Sequence, residues 1–162
     1  MRRVFVIAAL VLAGCGFQLR GQQHLPFGTL YVPAGTPLSV ELKRNITASS
    51  NAHLVDDPKQ AEAVLSFTGE QREKIILSFD TSGHVREYQL RYTVGFRLTD
   101  AKGNVYIPTS QIRLTRDISF NDAQVLAKEA EEAQLYADMQ TDMVQQLLRR
   151  ISAAHAAKPD LG

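Results

Sequence analysis

Alternation of apolar and polar residues dominates the middle of the chain and predicts three long β-strands. Within Ala63–Phe79 the odd-numbered positions are mostly apolar and the intervening positions mostly polar. The alternation is cleaner in Val85–Thr99, and a third segment follows over 105–120. A period of two is typical of strands that bury one face and expose the other. Pro108 cannot donate to a sheet ladder, so it indicates that the third strand has an edge position or a bulge.

Two short Asp-x-x-Gly segments separate these strands, at positions 80–83 and 100–103. Glycine at the end of such a segment favours a tight turn with positive φ. The three strands are therefore predicted to form two consecutive antiparallel hairpins.

Helical patterns flank the strands on both sides. Thr36 and Pro37 are typical of an N-cap and a first helical position, and apolar residues then recur every fourth position over 38–46. Asn121 has capping-box spacing to Gln124 and precedes a long predicted helix that runs to about residue 155. Its apolar stripe comprises Tyr136, Met139, Met143, Val144, Leu147, Leu148 and Ile151.

A short apolar run at positions 30–32 precedes the first helix and predicts another strand, so the element order is β-α-β-β-β-α. The fold class predicted from this order is α+β, a two-layer sandwich. We expect a mixed, mostly antiparallel sheet of four strands with two helices on one face, the first helix crossing over to a parallel neighbour. The other sheet face, rich in Thr, Ser and Arg, would contact water.

The N-terminus has the layout of a secretory signal peptide, with two arginines followed by an apolar core at positions 4–12. As a helix this core reaches roughly 15 Å, about half the hydrocarbon thickness of a bilayer, so it cannot span a membrane. Leu12-Ala13-Gly14-Cys15 resembles the lipobox of bacterial lipoproteins, which implies cleavage before Cys15, a diacylglycerol on its thiol and an N-acyl chain. The alternative is an ordinary signal peptide with an incidental or buried cysteine.

Gly16 follows the cysteine, whereas lipoproteins retained in the inner membrane resemble Cys-Asp at this point, so an outer-membrane anchor facing the periplasm is expected. The predicted organisation is a signal peptide over 1–14, a lipidated N-terminus and tether over 15–28, a single domain over 29–153 and a disordered tail over 154–162.

Composition limits the chemistry that this chain offers. The net charge of +1 at pH 7 gives no reason to expect nucleic-acid binding. The four histidines do not lie at metal-ligand spacing, and no catalytic motif of a known class is present. We therefore expect no catalytic residue, no metal and no cofactor apart from the lipid on Cys15. The polar sheet face is then either an ordinary solvent face or a docking surface, and periodicity alone favours the former.

Three segments together are similar to the LptE family of lipopolysaccharide-assembly lipoproteins. The opening Cys-Gly-Phe-Gln-Leu-Arg-Gly at 15–21 resembles the family's Cys-Gly-aromatic-x-Leu-Arg start. Glu87-Tyr88-Gln89 resembles its Glu-Tyr-Gln element, and 121–128 is similar to the start of its last helix. The resemblance spans residues 15 to about 152 and agrees with the predicted element order.

This resemblance implies a protein without enzymatic activity that plugs the large β-barrel of LptD in the outer membrane. It also implies that the protein helps the barrel assemble and helps place lipopolysaccharide in the outer leaflet. Lys128 matches a family lysine that contacts lipopolysaccharide. The family's second basic position falls near Thr81, where this chain has no basic residue, and Arg86 is the nearby substitute. The rival function is a stand-alone periplasmic lipoprotein that binds or hydrolyses an envelope ligand in a deep pocket with perturbed acids.

Overall fold

A computed structural model describes residues 24–154, and Cys15, the predicted signal peptide and positions 155–162 lie outside the described residues. The elements are β1 (Thr29–Tyr31), α1 (Pro37–Ser49), β2 (His53–Leu54), β3 (Ala63–Phe79), β4 (Val85–Thr99), β5 (Val105–Ser119) and α2 (Val125–Ser152). The predicted α+β class is confirmed. Both helices contribute buried residues to one hydrophobic core, together with one face of the sheet.

The sheet has the strand order β2-β1-β3-β4-β5, so it contains five strands where the sequence predicts four. The additional strand, β2, has two residues and pairs parallel with β1, with Thr29 opposite His53 and Leu30 opposite Leu54. Two residues are too few to show an alternation, which is why the sequence pattern missed this strand. The expected crossover is confirmed, because α1 connects β1 to its parallel neighbour β2.

The cap predicted for α1 forms, whereas the prediction that Asn121 caps α2 is wrong, because Asn121 caps a short 3₁₀ turn ahead of that helix and α2 has no side-chain cap. The Thr36 hydroxyl accepts a hydrogen bond from the backbone N–H of Ser39 at 3.1 Å, with Pro37 in the first helical position. The Asn121 side chain accepts one from the N–H of Ala123 at 2.9 Å. That bond opens a single 3₁₀ turn, so α2 itself begins at Val125, four residues after the predicted cap. The predicted apolar stripe of α2 is buried from Met139 onward.

The hydrophobic core includes residues from both flanks of the predicted domain. Leu25 and Phe27, in the segment predicted as a tether, are buried, and the Phe27 ring lies 4.9 Å from that of Tyr106. The backbone N–H of Leu25 donates to the Asn51 side chain at 2.8 Å. At the other end Ala154 is also buried. Packing therefore begins several residues before β1.

A β-bulge in β3 reverses which side chains face the helices. Phe67 pairs with Phe96 and the next ladder pair joins Gly69 to Gly95, so Thr68 is an extra residue. Beyond the bulge, Arg72 is opposite Tyr92 and Lys74 opposite Leu90, both of which are fully buried residues of the helix-covered face. The prediction that odd positions face the core is confirmed up to Phe67 and is wrong from Gly69 to Ile76, because one inserted residue shifts a period-two pattern to the other face. Further register shifts follow between Ile76 and Phe79.

Two long borders of the sheet lack a neighbouring strand within residues 24–154. β1 pairs only with Ala63 and Val64 of β3, which leaves the remainder of that border unpaired. β5 is the terminal strand on the other side. Its ladder with β4 shifts between the Phe96–Ser110 and Leu98–Ile107 pairs, so Pro108 lies at an edge and in a bulge, as predicted.

Candidate binding surfaces

The sheet face opposite the helices, here called the outer face, is mainly polar. The cross-strand register sets Gln71, Thr93 and Arg113 in one row and Glu73, Arg91 and Thr115 in the next. Arg91 lies 3.5 Å from the Glu73 carboxylate. Because β3, β4 and β5 contain 17, 15 and 15 residues, this face extends over about 50 Å at 3.4 Å per residue.

A second surface, here called the hairpin end, comprises the turn at 80–84, the last residues of β5 and the start of α2. Lys128 lies here, and its ammonium group donates to Ser119 Oγ at 3.0 Å and to Glu131 Oε2 at 2.8 Å. Its side chain is only 16% exposed. Lys128 is therefore a positioned cation joining α2 to β5, not a freely solvated lysine.

Arg86 is brought to the same end of the sheet. Its backbone carbonyl accepts a hydrogen bond at 2.7 Å from the N–H of Phe120, the residue after Ser119. Its surroundings are nevertheless acidic, because it borders a depression of about 430 Å³ that Asp80 and Asp122 also line. Hydrogen bonding from the His84 backbone lowers the pKa of Asp80 despite a smaller opposing effect of desolvation, so this carboxylate stays charged. Arg86 is thus a weaker candidate than Lys128 for binding an anion.

Lys74 is a further cation at the hairpin end that the sequence pattern assigned to the wrong face. Its ammonium group forms an ion pair with Glu132 at 2.6 Å and lies 4.3 Å from the centre of the Tyr88 ring. It also lies 5.7 Å from the ring of Phe120. The available signal was Gly69, since a glycine inside a strand pattern often marks a bulge.

Large apolar side chains are exposed beside these cations. Ile76 and Leu77 are nearly half exposed, and Phe79, in the pair that precedes the turn, is 60% exposed. Cations and exposed apolar groups at one end suit a molecule that carries both phosphates and acyl chains. A solvated polar peptide would leave the apolar groups in water.

Within residues 24–154 no group of three potential metal ligands comes together. None of the helices there is both long enough and apolar enough to cross a bilayer. The lowered pKa values of Asp80 and Asp100 arise in exposed turns, from hydrogen bonds with His84 and Asn104 respectively. The pKa of Tyr92 is raised, first by burial and then by its hydrogen bond to Glu70, so the hydroxyl stays protonated and structural. These groups lack the convergence in a deep pocket that the rival function predicts.

Comparison with known proteins agrees with the observed fold. Residues 27–151 match the family model LptE, described as lipopolysaccharide-assembly. The chain is 30% identical over 158 residues to the LPS-assembly lipoprotein LptE of Yersinia enterocolitica, covering 94% of this chain and 75% of that protein.

Solved structures with the same fold include an uncharacterized lipoprotein B from Nitrosomonas europaea, with 46% identity and a TM-score of 0.76. The match covers 88% of this chain and 94% of that one. A minor lipoprotein from Acinetobacter baumannii is 28% identical with a TM-score of 0.65, covering 81% and 95% respectively.

Proposed function

Because the chain belongs to the LptE family of lipopolysaccharide-assembly lipoproteins, we propose that it plugs an LptD-like outer-membrane β-barrel. In this role it helps the barrel assemble and assists the insertion of lipopolysaccharide into the outer leaflet. It acts without catalysis and without a cofactor other than the diacylglycerol and N-acyl chain on Cys15. Several acyl chains hold a protein on a membrane far longer than one chain can, so the domain stays on the outer membrane and faces the periplasm and the barrel lumen.

The outer face is the observation that supports the plug most directly. Large transmembrane barrels have a polar, hydrated interior. A polar surface about 50 Å long can exchange its water for hydrogen bonds to such a wall, while the helices on the other side keep the sheet rigid. An ordinary strand of five or six residues would offer only about 20 Å.

The hairpin end is the surface that we assign to lipopolysaccharide. Lys128 supplies a positioned charge for a phosphate or sugar-acid group, and Lys74 adds a second charge nearby. Each already pairs with a glutamate, Glu131 and Glu132 respectively. Binding therefore replaces a carboxylate by the ligand's anion, which favours ready release over tight retention. Ile76 and Phe79 provide the apolar contact for acyl chains. Arg86 has a secondary role because of the acids beside it.

Co-purification from outer membranes tests the plug. A tagged, lipidated chain extracted in mild detergent is expected to carry an LptD-like barrel, identified by mass spectrometry, in near-equal amount. Cys15→Ser, which removes the acylated thiol, is expected to lower the recovery from membranes. Recovery of the lipidated chain without a barrel would contradict the proposal.

A charge reversal tests the lipid contact. Lys128→Glu is expected to lower lipopolysaccharide retention about tenfold, as loss of a charge-assisted hydrogen bond does. Lys102→Glu makes the same change in the turn at the opposite end of the sheet and is expected to have little effect. Retention and thermal unfolding are measured on the same samples. Equal retention by wild type and Lys128→Glu, with both folded, would contradict the assignment of Lys128.

A further inference from the structure

Two glycines face each other in the middle of the outer face, and the fold requires only one of them. A Cβ at Gly95 would overlap with the hydroxyl of Thr68, so a side chain there would force Thr68 to move. A Cβ at Gly69 would meet no atom within 4 Å, and the backbone φ of Gly69 is not positive. Glycine weakens the interior of a strand. No contact within the described residues therefore prevents a side chain at position 69, and the space above it is open to a partner.

The missing side chains leave a depression of about 280 Å³, here called the glycine notch. It is open on the outer face and is lined by Thr68, Gly69, Glu70, Gln71, Thr93, Gly95 and Gln111. The side-chain amides of Gln71 and Gln111 and the hydroxyl of Thr93 thus border a site whose base is uncovered backbone. Glu70 is the one acid in this lining, but its register opposite the buried Val94 places its side chain on the helix-covered face, where its carboxylate accepts a hydrogen bond from the Tyr92 hydroxyl at 2.7 Å.

Positive charge flanks the glycine notch. Arg97 is two residues from Gly95 along β4, and Arg113 is opposite Thr93 on β5. Both are exposed, and the ion pairs of the described residues include neither. The Arg113 guanidinium donates to Gln111 Oε1 at 3.4 Å, which holds it beside the notch lining. The acids of the outer face, Glu73, Glu87 and Asp117, lie further toward the hairpin end by register, and Glu73 already pairs with Arg91. This half of the face therefore complements a negative group.

We propose that the glycine notch receives an acidic side chain from the lumen wall of the barrel, with Arg97 and Arg113 as its charge partners. The proposal rests on the plug function and specifies where the wall comes closest. Absence of a Cβ at Gly69 lets the partner reach the backbone of the sheet, where Gln71 and Gln111 can donate to its carboxylate. A charged carboxylate can leave bulk water here because two guanidinium groups and these donors replace it.

Substitutions that fill the glycine notch test docking to the barrel separately from folding of the chain. We expect Gly69→Leu to lower the barrel recovered per mole of lipidated chain about tenfold, since the added bulk clashes with the wall. The thermal midpoint of the free protein should stay equal or rise, because glycine is replaced where no internal atom is displaced. The smaller Gly69→Ala should lie between wild type and Gly69→Leu. The double variant Arg97→Glu and Arg113→Glu should lower recovery similarly, whereas Arg44→Glu, on α1 in the other layer, should not.

The outcomes distinguish this inference from the plug itself. If the wild-type chain recovers no barrel, both the plug function and the proposed docking at the glycine notch are contradicted. If wild type and Gly69→Leu recover equal amounts of barrel, only the proposed docking at the glycine notch is contradicted. Unchanged barrel recovery with reduced lipopolysaccharide in the Gly69→Leu sample would assign the site to lipid and overturn the inference. A fall in thermal midpoint matching the loss of barrel would overturn it as well, since Gly69 would then be structural.

Discussion

The bulge in β3 leads to a testable prediction for Arg72, because it places this residue on the helix-covered side of the sheet. The guanidinium carbon lies 4.9 Å from the centre of the Tyr92 ring and 5.4 Å from that of Tyr136. Its Nη2 donates to the Gln140 side chain at 2.9 Å. Partly exposed cation–π contacts contribute about 0.5 kcal/mol each and a partly exposed hydrogen bond about 0.5 kcal/mol. Arg72→Ala should therefore lower the free energy of unfolding by about 1.5 kcal/mol.

The neighbouring Gln71 is the matched control, because it lies on the outer face. Gln71→Ala should change the free energy of unfolding by less than about 0.5 kcal/mol, as is usual for surface positions. Urea unfolding followed by circular dichroism measures both, and with a slope of about 1.5 kcal/mol per M the Arg72→Ala midpoint should fall by about 1 M. Equal midpoints for the two variants, or a larger effect at Gln71, would refute the reversal of faces in β3.

Three further substitutions test other contacts of the fold. Gly95→Ala should lower the free energy of unfolding by about 1–3 kcal/mol because of overlap with Thr68, and the same change in a Thr68→Ala background should cost less in urea unfolding. Thr36→Ala should cost about 1 kcal/mol, as loss of an N-cap does, and an unchanged midpoint would contradict the observed cap. Burial and Glu70 raise the pKa of Tyr92 in the folded protein. The stability that the protonated hydroxyl contributes is therefore complete below about pH 10 and is lost as the pH rises above that value. Tyr92→Phe should reduce this alkaline loss of stability in unfolding curves, and an identical pH dependence in both proteins would exclude Tyr92 as the cause.

Local chemistry explains why much of the fold was predictable. Asp80 and Asp100 each accept hydrogen bonds from backbone N–H groups of their own turns, and Gly83 and Gly103 have positive φ. Such contacts connect near neighbours, so a short stretch of sequence contains all the information. The cap at Thr36 is predictable for the same reason.

Features that depend on distant residues were not predictable in this way. Thr68 is a bulge because Phe67 and Gly69 take consecutive partners on β4, and the pattern of β3 alone does not contain that register. Leu25 and Phe27 are two apolar residues in a polar stretch, too few for a period, and only the core that they contact gives them a role.

The candidate site was predicted only in part. Resemblance to the family led to Lys128 and Arg86, and the structure brings both to the hairpin end. It also shows the acids Asp80 and Asp122 beside Arg86, which no motif indicates. Lys74 joins them only because the bulge turns it toward α2.

The unpaired borders of the sheet have a consequence for contacts between copies of the free chain. Unpaired strand edges favour edge-to-edge pairing between identical chains, and inward-pointing charges, bulges and proline oppose this pairing. The β3 border presents Arg72 and Lys74 between its irregularities, and the β5 border is interrupted at Pro108. These features disfavour edge-to-edge pairing between copies of the chain along both borders.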